Sequence, residues 1–392
     1  MADRPVADPS ESVQPVTPVR DRTRPAATTP TPPAAAPAPA ATSGSSLSDV
    51  MQQVAKTHGA NVMRRASTAL TVIPHLSTGI FTLDMALFGG VPQSMITMPY
   101  GWESSGKTTV AMRVVAAAQR KYPDKTAVFI DVEGTFDRSW AQRHGIDIDR
   151  LIIVQPETGE QAVDISDAVI RAHDTSIVVM DSLPALVPIK ELEKSAEDAI
   201  VALQARLVGT LVRKAKQALL DERKKGHTPT LLLINQWRSK ITMMGDPRSL
   251  PGGNALKFFT DVRFEVMNKE HLGKDGFDIE TVEHNEHSFK VTKNKIGTGI
   301  RTGEFTMIRN PSNPLGPGFI DDGKTVLTYA KKLNVFSGGG SSWRIDGVDT
   351  RFGKISEAVD WLYEHPTEFD ALKRRLISIH RRNCGLQTEG WF

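Results

Sequence analysis

Gly101-Trp102-Glu103-Ser104-Ser105-Gly106-Lys107-Thr108 constrains this chain more than any other segment, because it fits the pattern GxxxxGK[ST]. It follows a short apolar run, Met95 to Met98, and precedes a helical pattern from Thr109 to Arg120. Strand, glycine-bounded turn and helix in that order aim successive backbone N–H groups and a helix N-terminus at a polyphosphate. Gly101 and Gly106 let the backbone turn, and Glu103, Ser104, Ser105 and Thr109 complete the predicted cradle. Lys107 is expected to reach the terminal phosphates and Thr108 to bind Mg²⁺.

The rest of the chain fits a core built around such a loop. Apolar runs at Ala127–Asp131, Leu151–Val154, Ile177–Met180 and Leu231–Ile234 alternate with amphipathic stretches, which predicts an α/β fold with a mostly parallel sheet and helices on both faces. Between Leu203 and Leu220 one apolar stripe leaves Arg206, Arg213, Lys214 and Lys216 largely off it, as in an ordinary amphipathic helix. From about Lys257 to Ile308 the pattern turns to strand-like alternation, predicting an antiparallel extension of the sheet. Helical patterns at Ile355–Tyr363 and Glu368–Ile379, after a glycine run at Gly338–Gly340, predict a small C-terminal α/β domain.

Residues 1–46 hold ten of the 24 prolines and almost no large apolar residues, so this segment is expected to be a disordered tail. A helix is expected near Ser48–Thr57. The domain division that follows is 1–46 tail, 47–75 N-terminal helix and polymerisation segment, 76–318 core, and 319–392 C-terminal domain. No run approaches the length of a membrane helix, and Asp3, Asp8 and Glu11 do not suit a basic, apolar signal peptide. The one cysteine, Cys384, can form neither an internal disulfide nor a cysteine metal cluster. With 48 basic and 45 acidic residues the net charge is +3, so any nucleic-acid site must be local.

Two carboxylates at strand ends suit the loop. Asp181 closes Ile177-Val178-Val179-Met180-Asp181 and is the candidate second Mg²⁺ ligand, with Ser182 beside it to support the metal's waters. Glu133, after Phe129-Ile130-Asp131-Val132, is the candidate that orients water toward the γ-phosphate.

The blocks GWESSGKTT at Gly101–Thr109, IDVEG at Ile130–Gly134, IVVMDS at Ile177–Ser182, INQWRSK at Ile234–Lys240, GGNALKFF at Gly252–Phe259 and VTKNKIG at Val291–Gly297 resemble, in order, the RecA recombinase family. The resemblance runs from about Ser48 to Arg382. It implies a RecA-type P-loop NTPase core and a cytoplasmic, DNA-dependent ATPase of a bacterial cell or a phage-infected one. Such a protein polymerises on single-stranded DNA as a helical filament and pairs it with homologous duplex in repair and recombination.

By the same resemblance Glu133 positions the attacking water, and Gln236 senses the γ-phosphate and passes its state to the DNA-binding loop. Asp137 and Trp140 stand where the family holds adenine between an acid and a stacking aromatic. Lys293 and Lys295 stand where a subunit reaches the neighbouring subunit's ATP, Lys257 and Phe258 where ATP is relayed across the interface, and Val62 and Met63 where an N-terminal strand packs on the next subunit.

The stretch Arg238–Pro251 carries Arg238, Lys240 and Arg248 for phosphates and Ile241 for insertion between bases, and Gly252, Gly253 and Asn254 follow with N–H groups for further phosphates. Ile241 packed against the end of the sheet is the alternative reading. A first DNA loop is expected around Glu191–Asp198, where acidic residues outweigh lysines. Lys373-Arg374-Arg375 and Arg381-Arg382 form either a solvated helix face or a site for duplex DNA. Two other functions remain open at this level: a ring-forming helicase or motor, and an ATP-gated DNA-binding regulator.

Overall fold

The computed structural model describes residues 46–59, 62–63, 72–189, 197–239, 248–269 and 284–392. The Pro/Ala-rich segment up to residue 45 and the expected first DNA loop, apart from its last residues Glu197 and Asp198, lie outside them. Lys240 and Ile241 do too. Two compact units are present, Met1–Arg64 and Arg65–Phe392. In the first, helix α1 (Leu47–His58) starts at a reciprocal cap: Ser46 Oγ accepts from the Asp49 N–H, and the Asp49 carboxylate accepts from the Ser46 N–H. None of its residues is buried.

The second unit begins with β1 (His75–Leu76), α2 (Phe81–Ala86) and β2 (Val91–Pro92), β1 and β2 pairing antiparallel. There follow β3 (Ile96–Gly101), α3 (Lys107–Lys121), β4 (Thr126–Asp131), α4 (Arg138–Arg143), β5 (Leu151–Val154), α5 (Gly159–Arg171) and β6 (Thr175–Asp181). The long α6 (Glu197–Lys224) leads to β7 (Thr230–Leu233), β8 (Asn235–Gln236), the short ribbon β9 (Arg238–Ser239) and β10 (Arg248–Ser249), and α7 (Gly253–Phe259). Next come β11 (Val262–Lys269), β12 (His284–Asn294) and β13 (Thr302–Ile308). The chain closes with α8 (Gly323–Lys332), β14 (Phe336–Gly339), β15 (Ser342–Ile345), β16 (Arg351–Phe352), α9 (Ile355–Glu364) and α10 (Pro366–Asn383).

The main sheet runs β13-β12-β11-β3-β7-β6-β4-β5, with β8 beside β3. Every pair from β11 to β5 is parallel, and β11-β12-β13 is antiparallel, so the strand-like alternation late in the sequence is the expected extension. Side chains alternate across the strands and sort into two cores. Val128, Ile130, Val178, Met180, Leu231 and Leu233 face α5 and α6, whereas Ala127, Phe129, Ile177, Val179, Leu232 and Ile234 face α3. Both faces are therefore buried, as a parallel sheet requires.

Near the C-terminus, α8, α9 and α10 pack with the three-stranded antiparallel sheet β14-β15-β16 around Val326, Phe336, Ile345, Leu362 and Leu376. Phe81 and Met85 of α2 join that cluster. One expectation needs correcting: Lys257 and Phe258 do not begin a strand but lie on α7, which starts at the left-handed Gly252. Leu256 supplies its buried anchor, so the apolar pattern was that of a helix of seven residues. Among the described residues no helix is long and apolar enough to cross a membrane.

Candidate nucleotide and DNA site

The loop from Gly101 to Thr108 joins the end of β3 to the first turn of α3, and both of its glycines are forced. A Cβ on Gly101 would lie 2.2 Å from the Val266 carbonyl oxygen, and Gly106 adopts φ +95° as the N-cap of α3. Lys107 is buried at 5% exposure, and its Nζ donates to the Trp102 carbonyl at 2.5 Å and to Ser105 Oγ at 3.4 Å. Burial pulls its pKa down, against the pull of Asp181, Glu133 and Glu103. The ammonium thus lies folded back inside the loop. Glu103 and Ser104 are exposed, and Ser105 is buried.

At the end of β6 Asp181 is buried, and its Oδ2 accepts a 2.6 Å hydrogen bond from Thr108 Oγ1. Burial pushes its pKa up to about 6, with the Thr108 bond opposing that shift and Glu133 adding to it. A desolvated carboxylate held against a hydroxyl is suited to a divalent cation that keeps most of its other ligands as water and phosphate. Among the described residues no group of three His, Cys, Asp or Glu side chains could hold a metal ion by itself.

Glu133 follows β4, and its Oε1 accepts from Ser182 Oγ and, at 2.9 Å, from Gln236 Nε2. Ser182 therefore touches the glutamate as well as flanking Asp181. Gln236, on β8, pairs with Gly101 of the loop across the sheet. The next residue, Trp237, is pinned by a 2.8 Å bond from Nε1 to Glu265, packs edge-on against Tyr100, and carries the Arg248 guanidinium 5.1 Å from its ring centre. An unbroken line of contacts runs from Glu133 to Arg248, and the sequence had offered no sign of the part Trp237 takes in it.

Asp137 caps α4, accepting from the Trp140 N–H at 2.9 Å. Trp140 Nε1 donates to Thr109 Oγ1 at 3.2 Å, so the indole packs beside the first turn of α3, edge-on to His144. The pair is brought to the nucleotide loop, with Trp140 half-buried. Lys293 and Lys295 stand elsewhere. Lys293 Nζ donates to the carbonyls of Lys257 and Phe258 at the end of α7, at 2.6 and 3.3 Å. Lys295 pairs at 2.8 Å with buried Asp261, which Lys216 also holds at 2.6 Å.

Across the β9-β10 ribbon Arg238 stands opposite Ser249 and Arg248 opposite Ser239, with Arg238 donating to the Pro184 carbonyl at 3.0 Å. Gly252, Gly253 and Asn254 open α7 and line a cleft with Arg206, Gly209, Thr210 and Arg213 of α6. Those two arginines read in sequence only as a solvated helix face. Helical periodicity shows which residues leave the core, and not which distant turn they meet. Phe258 is 73% exposed on α7, and Val62 is exposed in the N-terminal unit.

A phosphate loop at the mouth of a parallel sheet, with a strand-end carboxylate hydrogen-bonded to its threonine, defines a P-loop NTPase core. Residues 45–311 match the RecA N-terminal domain model. Protein RecA of Francisella tularensis subsp. novicida (strain U112) is 36% identical over 341 residues, covering 85% of this chain and 89% of that relative, and Protein RecA of Francisella tularensis subsp. tularensis (strain SCHU S4 / Schu 4) gives the same figures. The chain belongs to the RecA family, and its fold is the RecA type.

Proposed function

We propose that this chain is an ATP-dependent recombinase that assembles on single-stranded DNA as a filament, hydrolyses ATP in response to DNA and pairs the bound strand with homologous duplex. The observation that carries this reading is the double contact of Glu133, which Ser182 and Gln236 both touch. A water-orienting carboxylate is thereby tied to an amide two residues before Arg238 of the DNA ribbon.

Within that reading Lys107 swings from the Trp102 carbonyl to the terminal phosphates, and the loop N–H groups carry the rest of the charge. Thr108 and Asp181 would hold Mg²⁺, which when bound neutralises charge on the phosphate oxygens. Glu133 orients water, and Gln236, able both to donate and to accept, changes partner when the γ-phosphate is present. Asp137 and the exposed part of Trp140 receive the adenine. Lys293 and Lys295 leave their intramolecular partners to meet a neighbouring subunit's phosphates, so that hydrolysis follows assembly.

Two open surfaces support assembly. Edge strand β5 exposes Ile152 and Ile153, with no strand paired beyond it among the described residues, and α7 exposes Phe258. For DNA, Arg206 and Arg213 join Arg238, Arg248 and the Gly252–Asn254 turn; Lys240 and Ile241 complete the proposed loop.

The test is ATP turnover with and without single-stranded DNA. Turnover should rise on adding DNA, and Glu133→Gln should lower it by about 10²- to 10⁴-fold while leaving nucleotide binding intact. Unchanged turnover in that variant removes Glu133 from the mechanism.

A further inference from the structure

A cavity of about 580 Å³ lies away from the nucleotide loop, between the far half of α3 and helix α10. On α3 it is lined by Arg113, Ala117, Arg120 and Lys121, which share a helix face; on α10 by Asp370, Lys373, Arg374 and Ile377, which do likewise. Leu76, Phe81 and Phe392 add apolar wall.

Five side-chain cations line this cavity with two side-chain carboxylates, Asp84 and Asp370. Asp84 is occupied by Ser77 and Thr78, whose hydroxyls and the Thr78 N–H all donate to it. Arg113 donates to the carbonyls of Thr78 and Gly79, and Lys121 to that of His75. Lys373 pairs with Asp322 at 3.1 Å, outside the cavity lining, and Arg374 lies 4.7 Å from the Phe392 ring centre. Among the described residues no carboxylate lies within ion-pair distance of Arg113, Arg120, Lys121 or Arg374; burial pulls the pKa of both Arg113 and Lys121 down, with Asp322 and Asp84 pulling that of Arg113 back up. Arg113 and Lys121 are half-buried while Arg120 and Arg374 are exposed at the edge of the cavity, so cationic charge exceeds carboxylate charge around a space that an anion could enter.

We propose that this cavity is a second ligand site, separate from the P-loop, for a small polyphosphate-bearing molecule. Guanidinium groups on facing helices, Arg120 and Arg374, match phosphate oxygens in bidentate fashion, and the volume is that of a small-molecule pocket. Duplex DNA is too wide to enter it. Because α3 begins at the phosphate loop and ends in this cavity, a ligand here would touch the same rigid helix that carries Lys107 and Thr108.

Equilibrium dialysis of the full-length protein with labelled ADP, and separately with inorganic tripolyphosphate, tests this. About two ADP should bind per chain, falling to about one in Arg120→Gln with Arg374→Gln and to about one in Lys107→Ala. Tripolyphosphate competing only for the site lost in the arginine variant would identify an inorganic source, and failure to compete a nucleotide one. A stoichiometry that the arginine pair leaves unchanged, with thermal unfolding also unchanged, overturns the proposal. Binding lost only in the arginine variant would instead uphold it and overturn the P-loop reading. Loss of duplex DNA binding alone, with ADP stoichiometry intact, would reassign the arginines to DNA and overturn it.

Discussion

Gln236 Nε2 donates to Glu133 Oε1 across 2.9 Å, joining residues 103 positions apart in the chain. In this arrangement the amide restrains the very carboxylate that the proposed mechanism uses, and does so from the strand just before the β9-β10 ribbon, the proposed DNA contact. Gln236→Ala should therefore keep nucleotide affinity within about twofold and lose the DNA-stimulated part of turnover, a loss of about 10²-fold. Steady-state ATPase assays with and without single-stranded DNA check this; full stimulation in the variant would exclude Gln236 as the link.

Lys293 and Lys295 should separate by stability. Lys295 neutralises Asp261, whose side chain is 1% exposed, but Lys216 and the Ile96 N–H remain as partners, so Lys295→Ala should cost only about 1 kcal/mol. Among the described residues Lys293 donates to two carbonyls and forms no ion pair, and Lys293→Ala should unfold at nearly the same urea concentration. Both variants should bind nucleotide as isolated subunits and lose DNA-dependent turnover, as measured by parallel urea melts and ATPase assays.

Arg206 and Arg213 share a cleft with Gly252–Asn254. If they neutralise backbone phosphates, Arg206→Ala and Arg213→Ala should each reduce the slope of log affinity against log salt by about 0.7 for single-stranded DNA. Fluorescence anisotropy over a salt series measures that slope, and an unchanged slope returns both residues to the solvated helix face.

Acid should weaken the fold through buried histidines. His144 has a pKa pulled down to about 4 by burial and then by Arg113, against 6.5 in an unfolded chain. The folded form therefore excludes a proton that the unfolded chain binds, so its contribution is complete above 6.5 and lost as pH falls from there toward 4. The loss is about 1.4 kcal/mol for each pH unit in that window. His144→Phe, which keeps the edge-on contact with Trp140, should lose less stability than the wild type between pH 7.5 and about 5.5 in urea melts.

Local pattern made the nucleotide loop, the strand ends bearing Asp181 and Glu133, and the two-faced sheet legible, because each is written in adjacent residues. Relations across the fold were not legible. Nothing near Lys295 announces Asp261 or Lys216, nothing in α6 points Arg206 toward Gly252, and Trp237 becomes a bridge only when Glu265, Tyr100 and Arg248 close around it. Residues 257–258 misled for the converse reason: a helix of seven residues between two strands is too short for its period to stand out.

Strand exchange tests the central claim most directly. Incubating the protein with ATP, Mg²⁺, a circular single strand and homologous linear duplex should yield joint molecules and displaced strand, with Lys107→Ala and heterologous duplex yielding neither. DNA-stimulated ATP hydrolysis without joint molecules under these conditions would contradict the recombinase account.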